Sequence, residues 1–239
     1  MLKAKEYKLL LVLGLVLFVI TGCEMSALLD YEPEEILNEV KENLYQHENV
    51  QFHIQSSAQD DGAGVNVSLQ GVEIFDKNKT YLIGEIGPKR VEFYQKDELA
   101  HIRRGSITEW TSVSEFDDPR LSSLIAAPSH LKELIDIGDY EIMDDYAIIQ
   151  DEKVLVISGS LKEDYILDYL KEINFIIDDE KKEDDEGKEE FIIGVSFYID
   201  QQVELRKLEI FVNSQSGKHS LLKEINVLNS NVDVEIEKP

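Results

Sequence analysis

The sequence predicts an α+β protein built on an antiparallel sheet, and three observations carry that prediction. Long tracts alternate apolar and polar residues with period two. The links between them are short and polar. Three other tracts switch to the spacing of an amphipathic helix.

Taken in order, Pro33 suits the first position of a helix, and Glu34 and Glu35 favour its positive N-terminal end. Ile36, Leu37, Val40 and Leu44 then form one apolar stripe, and the helix ends near His47 or Asn49. From Val50 to Val113 the pattern is strand-like. Phe52 and Ile54 alternate with polar residues, as do Val65, Val67 and Leu69. At Gly71 the phase slips to Val72 and Ile74, which predicts a bulge or sharp bend. Short strands follow at Thr80–Ile86, Arg90–Gln95, Leu99–Arg103 and Ile107–Val113. Their polar links at Asp76-Lys77-Asn78, Gly87-Pro88 and Gly105-Ser106 make the series a meander of hairpins.

Asp117 to Ile137 reads as helix in two pieces, one bounded by Pro119 and Pro128, the next capped by Ser129 and carrying Leu131, Leu134 and Ile135. Strands at Tyr140–Gln150 and Lys153–Ser158 come next. Ser160 and Glu163 have the spacing of a capping box ahead of a helix bearing Ile166, Tyr169, Leu170, Ile173 and Ile177. The acidic run at 178–190 reads as a solvated loop. Asp184, Glu186 and Gly187 partly imitate a calcium loop, but Lys182 stands where its first ligand would be. Phe191, Ile193, Val195, Phe197 and Ile199 give the cleanest alternation in the chain. Leu208, Ile210 and Val212 follow, and a last strand covers Leu221 to Leu228.

The N-terminus carries an address. Lys3, Lys5 and Lys8 precede an apolar run of 12 residues from Leu9 to Ile20, and Ile20-Thr21-Gly22-Cys23 closes it. That order matches a secretory signal peptide. The run is shorter than the roughly 20 residues a membrane helix needs. Its last four residues resemble the lipobox of bacterial lipoproteins, in which the cysteine thiol receives a diacylglycerol and becomes the new N-terminus. The resemblance implies a signal peptide at 1–22, a lipidated tether at 23–32 and a single domain at 33–239. It places the protein on the outer face of the bacterial cytoplasmic membrane, anchored through Cys23.

Removing residues 1–22 takes away three lysines and one glutamate and leaves a formal charge of −27. Such a surface repels nucleic acid and anionic headgroups, so DNA and RNA are excluded as partners and attachment rests on the lipid. Cys23 is the one cysteine, so lipidation leaves no thiol for an internal disulfide and the fold must hold by packing. At 43% hydrophobic residues the chain can build that core.

The sequence offers no catalytic apparatus. His47, His53, His101, His130 and His219 form no metal-ligand spacing, and there is no nucleophile elbow, phosphate loop or zinc-protease motif. Glu141, Asp144 and Asp145 read as surface charges. The expectation is a protein that is not an enzyme and carries no cofactor.

The order of elements resembles the half-barrel lipoproteins of the LolA/LppX type. Ile36, Leu37, Val40 and Leu44 lead into Val50-Gln51-Phe52-His53 as that family's first helix leads into its first strand. Trp110, in Ile107-Thr108-Glu109-Trp110, stands where such proteins often carry a tryptophan. The resemblance spans roughly 33–230 and leaves the acidic loop unmatched. It implies a strongly curved antiparallel sheet, a half-barrel, with helices packed on its concave face around an apolar or lipid ligand bound without chemistry. Candidate pocket residues are Phe52, Ile54, Val67, Leu69, Phe93, Trp110, Phe197 and Phe211, although for any single one of them ordinary core is the favoured reading. The alternative is a protein-interaction or assembly lipoprotein on the same fold with a solid core, docking an envelope partner.

Overall fold

The computed structural model describes residues 28–60, 63–97, 99–105, 109–112, 131–172 and 190–234. Twelve strands among these residues form one sheet: β1 (Asn49–Asp60), β2 (Ala63–Ile74), β3 (Lys79–Ile86), β4 (Lys89–Lys96), β5 (Leu99–Arg104), β6 (Thr111–Ser112), β7 (Gly138–Ile142), β8 (Ala147–Ile149), β9 (Glu152–Leu161), β10 (Phe191–Ile199), β11 (Leu205–Ser214) and β12 (His219–Ser230). Their order is β6-β5-β4-β3-β2-β1-β12-β11-β10-β9-β7, with β8 added to β9. Every pairing is antiparallel. Among the described residues β6 and β7 do not meet, so the sheet is open, a half-barrel.

The meander from β1 to β6 follows the hairpin signals of the sequence. The join of β1 to β12 does not, because it brings together strands more than 150 residues apart. That pairing lets the N-terminal and C-terminal hairpin series share one sheet.

Among the described residues three helices cover the inner face: α1 (Pro33–Gln46), α2 (Leu131–Ile137) and α3 (Glu163–Glu172). The α1 stripe is buried as its spacing predicts, at Ile36, Leu37, Val40 and Leu44. Pro33 opens the helix, and Glu35 accepts a hydrogen bond from the Glu32 N–H at 3.4 Å, which satisfies a donor just outside the first turn. α1 packs on α2 and β7, and α3 packs on β10. The Tyr140 hydroxyl on β7 donates to the Leu134 carbonyl on α2, and the Tyr140 ring meets Phe197 edge-on at 5.2 Å.

Three local expectations are corrected. No bulge occurs at Gly71, because β2 keeps continuous register with both β1 and β3. A Cβ at Gly71 would overlap the Tyr81 carbonyl oxygen and the Leu82 side chain, so the glycine serves close approach instead. The expected strand at Tyr140–Gln150 is two strands, β7 and β8, pairing with successive parts of β9. Ser160 is not a helix cap. It lies in β9 opposite Gly194 and Asp139, and α3 begins at Glu163 beyond it. Cys23, the helical piece opened by Pro119 and positions 178–189 of the acidic run lie outside the described residues.

Candidate functional site on the concave face

Strand alternation places one set of side chains from each strand on the inner face, and cross-strand register joins them into rows. One row runs Leu69, Ile54, Ile225, Leu208, Phe197, Ile157 and Ile142, from β2 through β1, β12, β11, β10 and β9 to β7. On the β3–β5 side the floor continues through Leu82, Phe93 and Ile102. These residues belong to one buried hydrophobic cluster, with Ile142 packed against its rim. Phe52, Ile54, Val67, Leu69, Phe93 and Phe197 are therefore brought together in the buried cluster on the concave face.

Trp110 and Phe211 are not part of that face. Thr111 pairs with Ile102, so Trp110, one residue earlier, turns outward. There its ring meets Tyr94 at 6.4 Å and the Arg103 guanidinium at 4.9 Å. Arg103 is also ion-paired with Glu92, which accepts from the Tyr81 hydroxyl at 3.2 Å. Phe211 sits between the inward Ile210 and Val212, and its side chain is 40% exposed on the outer face. A Cβ at Gly194 would overlap its ring, so the ring lies over the glycine of β10. In both cases aromatic character suggested a pocket, and strand parity decides otherwise.

The row beside the apolar one holds the feature that the reading of the sequence missed. It runs Val67, Ser56, Lys223, Ile210, Val195 and Gly159. Lys223 is 3% exposed, flanked along its own strand by Leu221 and Ile225 and set between Ser56 and Ile210. Burial pushes its amine down to about 7. Beside it the Ser56 hydroxyl is buried and has no hydrogen-bond partner among the described residues. The signal was available: Lys223 occupies the same parity as Leu221 and Ile225, and Ser56 the same parity as Phe52 and Ile54. A lysine in an inward register is hard to recognise, because a charged residue in an acidic chain reads as surface.

Among the described residues, no group of three His, Cys, Asp or Glu is placed to hold a metal ion, and no helix is long and apolar enough to cross a membrane.

An open antiparallel half-barrel with helices on its concave, apolar face defines the LolA/LppX type of fold. Among solved structures it is similar to the Mycobacterium tuberculosis lipoprotein LppX, with a TM-score of 0.54 and 12% identity over 86% of this chain and 100% of that one. MucB is more distant, with a TM-score of 0.40 and 13% identity over 85% of this chain and 60% of its own. By sequence, no family model and no curated protein matches.

Proposed function

We propose that this chain is an extracytoplasmic lipoprotein, anchored through a lipid on Cys23 at the outer face of the cytoplasmic membrane, that binds an apolar or lipid ligand without catalysis. The observation that carries the reading is the continuous apolar inner face of an open sheet, running from β5 to β7 and roofed by short helices. An acyl chain laid on such a face gains about 0.8 kcal/mol per buried methylene, and water is excluded by the helices that close over it. The anchor holds the domain within reach of the bilayer from which such a ligand would come.

The test is native mass spectrometry of residues 24–239, produced in a bacterial host and purified without detergent. A bound mass that extracts as fatty acid or phospholipid supports the reading. A clean apo mass, unchanged after incubation with envelope lipids, overturns it.

A second reading, an assembly lipoprotein that docks a protein partner, is favoured by the outer face. Phe211 pairs with Leu222 there, Ile192 lies close by on β10, and all three are exposed. Leu222 also borders a groove of about 410 Å³ lined by Gln55, Ser57, Asn66, Ser68 and Glu85. If that stripe is the working surface, Phe211→Glu abolishes cross-linking to envelope proteins in cells while leaving lipid content untouched.

A further inference from the structure

We infer that Ser56 and Lys223 form a polar station in the apolar floor, which takes the anionic head (a carboxylate or a phosphate) of an acyl-chain ligand. The inference rests on the lipid-binding reading above and adds to it the class of ligand.

Position is the first argument. The neighbours of the pair on the same face are Ile54, Ala58, Val67, Leu221, Ile225, Ile210, Leu208 and Val212, all of them apolar. The pair therefore lies in the interior of the floor and not at its rim. A chain lying along the flanking row of Leu69, Ile54, Ile225, Leu208 and Phe197 would lie two residues along the strands, roughly 7 Å, from the row of Lys223, within reach of its long side chain.

Chemistry is the second argument. An ammonium and a hydroxyl side by side supply up to four donor hydrogens, whereas a carboxylate or phosphate supplies only acceptors. Keeping an amine and an unpartnered hydroxyl inside an apolar floor costs free energy, and a bound anion would offset that cost by pairing with both. Lys223 is not isolated in this structure, so the head would join or replace an existing contact. A neutral ester could offer its carbonyl oxygen to these donors but no charge, so it would gain less than a carboxylate or phosphate, and an alkane would gain only the apolar contacts.

The experiment uses the full chain, purified in a non-ionic detergent and analysed by native mass spectrometry. Oleate, methyl oleate and dioleoylphosphatidylglycerol are added separately at equal concentrations to wild type, Lys223→Met and Ser56→Ala. The expected result is that wild type retains an anionic ligand about tenfold more than methyl oleate. Lys223→Met would bring the two within about twofold by losing the anionic ligand, while its methyl oleate binding persists. Ser56→Ala, which removes a single oxygen, would lose about threefold for the anionic ligand alone. Preference for oleate identifies a free fatty acid, preference for phosphatidylglycerol a phospholipid, and either supports the station. Equal binding of oleate, phosphatidylglycerol and methyl oleate by wild type and Lys223→Met overturns the station and leaves the lipid-binding reading standing. Binding of none of the three overturns both.

Discussion

Lys223 makes stability rise with pH, in the same direction as a carboxylate of depressed pKa but in the neutral to alkaline range. Its amine is lowered from 10.5 to about 7 by burial, so between those values the unfolded chain holds a proton that the folded one does not. Stability therefore rises with pH across that window, by up to about 1.4 kcal/mol per unit, and the full cost is present below pH 7. Above pH 10 two tyrosines act the other way. Burial raises the hydroxyls of Tyr140 and Tyr198, so the stability linked to them is complete below their ordinary value and is lost above it. Urea unfolding of wild type at pH 7, 8 and 9 is expected to show a rising midpoint. Lys223→Met is expected to be more stable than wild type at pH 7, by about 1–4 kcal/mol, with a flat profile. A wild-type midpoint that falls between pH 7 and 9 would contradict this account. Gly71 supports a second prediction at the same scale. Gly71→Ala drives a Cβ into the β3 backbone and is expected to cost about 2 kcal/mol or more. Gly64→Ala, whose Cβ would find nothing nearer than 3.8 Å, is the near-neutral control in the same urea series.

At the scale of elements, the turn from β10 to β11 is tied together by one carboxylate. Asp200, 2% exposed, accepts the N–H groups of Gln202 at 2.8 Å and Glu204 at 2.9 Å through Oδ1. Its Oδ2 is 2.6 Å from Arg206 Nη2, an ion pair by distance in which no guanidinium N–H points at the oxygen. This turn holds Val203 at φ 60°, a conformation costly for a β-branched residue, and the Val203 carbonyl accepts from Asn43 of α1 at 3.1 Å. Asp200→Ala strands two donors and a partly buried guanidinium together, so a loss of about 3 kcal/mol is expected in thermal unfolding. Asp200→Asn, which keeps an acceptor for the turn, should lose less. The helix above the turn gives a simpler test. Leu37→Ala in α1 removes a fully buried side chain and is expected to cost about 2–5 kcal/mol by urea unfolding.

Legibility followed the same divide between residue and element. The α1 stripe and the β10 alternation could be read because burial on one face writes a period into the sequence. The turn of Met143 to Tyr146 between β7 and β8 could not, because Ala147, Ile148 and Ile149 continue the apolar tract of Tyr140 and Ile142 without a glycine or proline to mark the break. Ser160 looked like a cap because a cap and a strand serine are the same residue until hydrogen-bond partners are known. Aromatic character does not say which face of a strand a residue takes: Phe52, Phe93 and Phe197 lie in the inner cluster, whereas Phe211 is exposed on the outer face and Trp110 packs beside Tyr94.

At the scale of the whole molecule the dominant property is charge. With a formal charge of −27 for residues 23–239, self-repulsion opposes the compact state. Raising the ionic strength from about 0.01 to 0.15 M shortens the screening length from about 30 to 8 Å and is expected to raise the thermal midpoint. An unchanged midpoint would mean that the acidic groups are too far apart to matter. Sequence by itself determined the α+β class, the strands of the early meander and the buried stripe of α1, because each is written in local spacing. Only the tertiary structure decided that β1 pairs with β12, that the sheet stays open, and that Ser56 and Lys223 stand side by side in its floor. Those facts depend on register between strands far apart in the chain, where a shift of one residue would turn every inward side chain outward.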